Sequence, residues 1–248
     1  MTYRILLLGD HAWRDVPALA LIRVQLEKID ASLDVQIADI HLFPQIVELY
    51  HPHVVVLPHL HDKERNKWVD TVKRRGGLCV IMPTEGRPNS DALIEWAAKD
   101  WPPELCDLYL SWSETFAEHL PLMVRRAVTG CARFDFYFPP YNALCSTREM
   151  VCSFYGLDPS KRVVTVASSF PQAKFAKNGQ LDFLQSDWDK LGKSKIPGLE
   201  DARTVATDER HALLRFQAWL RAAYYEWGPF QMLVKPHPAD DVTDWLGF

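Results

Sequence analysis

Long hydrophobic runs are absent from these 248 residues, and apolar stretches such as 54–58 fall far short of the roughly 20 residues that a membrane-crossing helix needs. No segment therefore reads as a helical membrane span. Charge of one sign is also not in excess: 28 Lys and Arg stand against 32 Asp and Glu, a net −4, which leaves no basic footprint for nucleic acid. Arg4 is followed by only four apolar residues before Gly9-Asp10, so the pattern of a secretory signal is missing. Cys79, Cys106, Cys131, Cys145 and Cys152 are odd in number, scattered and without a CxxC. That usage argues against a disulfide framework and for reduced thiols in a cytoplasm. There is no internal repeat. What remains is ordinary globular composition, 48% apolar and 24% charged, with chain enough for one large or two small domains.

Short apolar runs alternate with helical patterns through the first 140 residues. Residues 3–8, 33–38, 54–57, 78–82, 108–111 and 127–129 read as strands. Between the first two, 16–29 carries Leu19, Ile22, Leu26 and Ile29 three or four apart, the period of an amphipathic helix. Residues 43–50, 63–75, 92–99 and 114–120 read as further helices, the second of them stopped by Gly76-Gly77. Such alternation predicts an α/β fold, a Rossmann-type parallel sheet with helices on both faces.

Residues 136–144, with Pro139-Pro140, read as the exit from this N-terminal domain (1–140) into a linker (141–160) whose helix 147–155 is closed by Gly156. A second βα unit begins at 163–167, and 161–248 reads as a partial domain of the same type. Residues 168–206 show little periodicity beyond a short helix at 181–191, as expected of a functional lid or a poorly ordered loop. Residues 207–227 form a strong helical pattern, with Asp208 and Glu209 in its first turn and Gly228-Pro229 behind it. A strand at 230–234 follows. A nucleotide-binding half needs more βα units than 239–248 can supply, so the chain reads as the front of a longer protein, an engineered piece or a shortened relative.

Val234-Lys235-Pro236-His237-Pro238 locks one histidine between two prolines. Each proline fixes its own φ and pushes the residue before it into extended conformations. His237 is thus a stiffly aimed imidazole past a strand's carboxyl end, where open α/β sheets bind ligands. It suits a phosphate, or it is a plain rigid turn. Ser168-Ser169 follow the strand 163–167 and, if the two strands are neighbours, lie beside His237 with hydroxyls suited to phosphate oxygens. Turn chemistry is the alternative there. In Met82-Pro83-Thr84-Glu85-Gly86-Arg87, Glu85 stands at the sheet's carboxyl edge as base, nucleophile or sugar-hydroxyl acceptor, or as a solvated loop acid. In Val128-Thr129-Gly130-Cys131-Ala132-Arg133-Phe134-Asp135, a glycine ends a strand and Arg133 and Asp135 project toward an interdomain cleft. Arg133 pairs with Asp135, with Glu85 or with an anionic substrate. His51 and His53 precede the third strand while His59 and His61 follow it, so the four histidines form no metal set. His59 and His61, like Asp10, His11 and Trp13 after the first strand, read as substrate contacts.

Thr84-Glu85-Gly86, the segment from Val128-Thr129-Gly130 to Arg133-Phe134-Asp135, and Lys235-Pro236-His237-Pro238, in that order, resemble bacterial surface-carbohydrate biosynthesis proteins of the GT-B type. The likeness is greatest to the retaining β-Kdo transferases of capsule, O-antigen and lipopolysaccharide assembly. It runs from about Leu78 to the end of the chain; the first 77 residues match in pattern only. Cys131-Ala132 stands where the family more commonly has Asn-Pro.

The resemblance implies a GT-B-like pair of Rossmann-type domains. It makes His237, with Lys235, Pro238, Ser168 and Ser169, the contact to the phosphate of CMP-Kdo. It gives the attack on the anomeric carbon to Asp135, and base or proton-relay work to Glu85. No metal or other cofactor is implied, because CMP leaves as a monophosphate. The implied partners are the nucleotide-sugar donor and a glycan acceptor, in the cytoplasm, with peripheral association with the inner membrane or a polysaccharide assembly complex. Lys-Pro-His-Pro also occurs in glycerophosphate and other nucleotide-sugar transferases. A CDP-glycerol-type transferase and a non-catalytic acceptor-binding or assembly module therefore stay open.

Overall fold

Six of the apolar runs lie side by side. The computed structural model describes residues 2–84, 91–99, 101–196, 198–227 and 230–246. Strands β1 (Tyr3–Gly9), β2 (Leu33–Asp39), β3 (Val54–Leu57), β4 (Leu78–Ile81), β5 (Leu108–Ser111) and β6 (Arg126–Val128) form one parallel sheet in the order β2-β1-β3-β4-β5-β6. Helices α1 (Ala12–Ile29), α2 (Phe43–Tyr50), α3 (Lys63–Arg74), α4 (Asp91–Lys99) and α5 (Glu114–Ala117) connect them. Val- and Leu-rich strands buried on both faces are what a parallel sheet requires. On one face Leu6, Leu8, Val55, Leu57, Cys79 and Ile81 pack with Phe43 and Val47 of α2, Val69 and Val72 of α3, and Ile94 and Ala98 of α4. On the other, Leu7, Val35 and Val56 pack with Leu19, Ile22 and Leu26 of α1. Each fully buried Leu or Val contributes roughly 1.5–3 kcal/mol.

Two element ends in the first sheet's unit differ from the sequence pattern by more than one residue, each for a local reason. Helix α1 starts at Ala12, not 16, because His11 caps it: its Nδ1 accepts from the Arg14 backbone N–H at 3.2 Å. Pro17 then sits in the second turn, where it has no N–H to offer the carbonyl of Trp13, a residue that is 89% exposed. Helix α5 ends at Ala117, short of 120, where the backbone tightens into i→i+3 bonds ahead of Pro121. Gly77, at the entry to β4, is required by space. A Cβ there would stand 2.6 Å from Val72 Cγ1 and 3.0 Å from the Val72 carbonyl oxygen.

The chain divides into two compact units, Met1–Cys145 and Ser146–Phe248. The second holds α6 (Arg148–Tyr155), β7 (Val163–Ala167), α7 (Ala173–Lys177), α8 (Leu181–Lys190), α9 (Ala202–Glu226) and β8 (Gln231–Lys235). Helix α6, read above as a linker, groups with this unit. β7 and β8 pair in parallel from Val163↔Gln231 to Ala167↔Lys235, in a sheet separate from the first. Val164, Val166, Met232 and Val234 face Leu213, Phe216 and Leu220 of α9.

Residues 168–196 and 198–206 hold packed helices and not a loose loop, which corrects that part of the sequence reading. Leu184 and Trp188 of α8 bury against Ala202 and Ala206, with Phe175 and Leu181 beside them. The five residues of α7 leave too few repeats for a period to show, and alanines mark a buried face weakly. For the same reason α9 begins at Ala202 and not at 207. Among the described residues no helix is long and apolar enough to cross a membrane.

Candidate functional site

Parallel strands point all their carboxyl ends to one edge of their sheet; two groups of polar residues gather at that edge of the first sheet and a third at that of the second. In the first sheet the strand order reverses between β1 and β3, because β2 lies to one side of β1 and β3 to the other. Ligand crevices of open α/β sheets open at such a switch point. The turn after β1 is held by a carboxylate from α1. Asp15, 1% exposed, accepts the backbone N–H groups of Asp10 and His11, each at 3.0 Å, and the Nε of Arg14 at 2.8 Å. Arg14 also pairs with the Asp10 carboxylate. Burial opposes the charged form of Asp15, yet the bonds from Arg14 and Asp10 hold its carboxyl below the usual carboxylate range. Burial and the neighbouring Asp15 push Asp10 the other way, above that range. Gly9 makes the approach feasible, since a Cβ there would lie 3.2 Å from Asp15 Cβ and 3.3 Å from Leu19 Cδ1.

Across the switch point, after β3, the His59 and His61 rings stack with centroids 5.6 Å apart. Burial, then the charge of Arg65, pushes His59 down to about 4, so its ring is neutral at physiological pH. His51 and His53 lie at the amino end of β3, and among the described residues no cluster of His, Cys, Asp or Glu could hold a metal.

The second group follows β6. Gly130 takes a φ of +74°, in the left-handed region, and Cys131 is extended before a 3-10 turn over Ala132–Tyr137. Arg133 lies over two rings, its Cζ 5.9 Å from the Trp112 centroid and 5.7 Å from that of Phe134. Asp135 is exposed, and no ion pair joins it to Arg133 among the described residues. Both line the mouth of a groove of about 420 Å³, together with Thr84, Trp112 and Thr129. Its floor is the face of the sheet that α1 packs on, formed by Val54, Val56, Val80, Met82, Leu108 and Leu110, and Asp15, Leu19 and Ile22 of α1 form one wall. Glu85 lies outside the described residues.

The third group belongs to the second unit. Neighbouring β7 and β8 bring Ser168 and His237 together, and a residue absent from the sequence reading ties them. Asp240 accepts the Ser168 hydroxyl at 2.8 Å, the Phe170 N–H at 2.7 Å and the His237 N–H at 3.2 Å. Ser168 is buried and its proton is committed to that carboxylate, so it acts as a brace for the loop; Ser169, Lys235 and Pro238 are exposed. The Ala239 N–H donates to His237 Nδ1 at 3.1 Å, which leaves Nε2 to carry the proton of the neutral ring. Lys174 reaches the Ala239 carbonyl at 2.8 Å, and Lys177 pairs with Asp241 and Asp244. The loop after β8 is therefore stapled to α7. Glu209 accepts the Gln172 N–H at 2.7 Å, and burial raises its carboxyl.

Arg14, Asp15, Arg65, Trp112 and Asp240 had no signal in the sequence beyond spacing: Asp15 is four residues after His11 and Asp240 three after His237. Comparison with known protein families finds no family that matches the chain, and no curated protein matches it.

Proposed function

We propose that this protein transfers a sugar from a nucleotide-activated donor, CMP-Kdo first among the candidates, to a glycan acceptor in surface polysaccharide biosynthesis, on a GT-B-type arrangement. The observation that carries the reading is the His237 loop. An N–H donor with its tautomer set by Ala239 and its backbone held by Asp240 stands at the carboxyl edge of two parallel strands. Such a donor meets a phosphate oxygen with little further ordering. The exposed carboxylate of Asp135, at the corresponding edge of the first sheet, supplies the nucleophile. Asp135 attacks the anomeric carbon, the bond from that carbon to the phosphate oxygen breaks, and the electron pair leaves with CMP. The acceptor hydroxyl then displaces Asp135 and gives up its proton to a base, the role assigned to Glu85. Work at the inner face of the membrane belongs to the same reading.

Two measurements test it. The full chain with CMP-Kdo should release CMP and gain the mass of one sugar residue, with CDP-glycerol as the comparison donor. Consumption of neither would end the transferase reading. His237→Ala should weaken CMP binding about ten- to a hundredfold by calorimetry, the equivalent of roughly 1.5–3 kcal/mol for a lost charge-assisted bond, with the circular dichroism unchanged. Equal affinity in the variant would return His237 to the role of a rigid turn.

A further inference from the structure

Among the described residues two buried side-chain polar atoms have no hydrogen-bond partner, His59 Nδ1 and Asn66 Oδ1. Buried polar atoms are nearly always satisfied, so each exception asks for a physical account. These two belong to one corner, because Asn66 donates its amide nitrogen to the carbonyl of Leu60, the residue next to His59, at 2.9 Å. Their chemistry is complementary. His59 Nε2 lies 3.4 Å from Arg65 Nη1. A guanidinium can only donate, so Nε2 is the accepting nitrogen and the neutral ring carries its proton on Nδ1. The unmatched pair is thus one N–H donor and one carbonyl acceptor. A hydroxyl both accepts and donates and satisfies the two together; an anion only accepts and an ammonium only donates.

The surroundings fit a hydroxylated ligand. The corner is at the carboxyl end of β3, on the switch point, facing the turn after β1. The Arg65 side chain is 12% exposed and its nearest carboxylate oxygen, on Asp62, is 3.5 Å away. The Asp10 carboxylate acts on Arg65 from across the crevice. With Arg14 and Arg65 set against Asp10, Asp15 and Asp62, no net positive charge is left to draw in a phosphate.

We propose that this corner binds a polyhydroxylated group, a sugar ring or a polyol, with one hydroxyl bridging His59 Nδ1–H and Asn66 Oδ1 and its neighbours meeting Arg65 and Asp10. The site shares no residue with the roles given to Asp135 and His237, so its failure leaves the transferase reading standing.

Saturation-transfer NMR of the full chain with methyl β-D-galactopyranoside and with glycerol tests it, inorganic phosphate serving as competitor. Wild type should transfer saturation to the glycoside, and phosphate should not displace it. His59→Phe keeps the ring and removes both nitrogens; it should weaken binding about fivefold, the effect of one hydrogen bond. His59→Asn, which keeps an N–H donor, should restore most of it. If His59→Phe does not fold, Arg65→Met carries the comparison. No transfer in wild type, equal transfer in the folded variants, or displacement by phosphate overturns the proposal, and a bridging water is then the only occupant.

Discussion

Asp135→Asn should lose sugar transfer by roughly three orders of magnitude or more while CMP binding stays within a few-fold of wild type. The amide keeps the shape of the side chain but cannot attack an anomeric carbon, and removal of a covalent nucleophile is among the largest single losses known for enzymes. The measurement has two parts. CMP release from CMP-Kdo is followed with acceptor present, and intact mass is read with acceptor omitted, where wild type should accumulate the one-sugar adduct and the variant should not. Asp135 is exposed at the mouth of the groove beside Arg133, so the substitution disturbs no buried contact. Glu85→Gln should cost roughly a hundredfold in turnover with the adduct still formed, as loss of a proton carrier does. An adduct on the Asp135→Asn chain would move the nucleophile to another side chain.

Asp15→Ala should lower the stability of the first unit by about 3 kcal/mol, a fall in Tm on the order of 10 °C. The carboxylate satisfies two backbone N–H groups and the Arg14 guanidinium at once, and alanine leaves all three without it. Asp15→Asn retains an acceptor and should lose about half as much. The pH dependence has a definite sign. Because the folded state holds the Asp15 carboxyl below its unfolded value, its stabilisation is complete above pH about 4 and fades as the pH falls further. Asp10, with its carboxyl raised, has the opposite sign: its contribution is present in acid and is lost as the pH rises through its folded value. Thermal melts of wild type and Asp15→Ala between pH 3 and 7 should therefore converge at the acid end. Parallel curves across that range would show that the carboxylate is not what holds the turn.

The bounds of β3, β5, β7 and α2 coincide with the sequence reading, because each is a complete apolar run or a whole period between breakers. The parallel pairing of β7 with β8 was also legible, since a strong helix between two apolar runs is the signature of a crossover. Helices α7 and the start of α9 were not, because their buried faces are built from alanine and single aromatics whose partners lie on other elements.

The local pattern of this chain determined its class: which segments are strand or helix, that the strands are parallel, and that His11, His59, His61, Asp135 and His237 fall at strand ends. These follow from periods of two and 3.6 residues and from the rigidity of proline, all of which act over a few neighbours. Only the tertiary structure decided which ends meet. Putting β1 between β2 and β3 sets Asp10 against Arg65, and pairing β7 with β8 lets one carboxylate, Asp240, hold both Ser168 and His237. Those contacts join residues 55 and 72 positions apart. Their formation depends on long-range strand pairing and on the need of each buried polar group for a partner, and neither leaves a mark in the sequence around it.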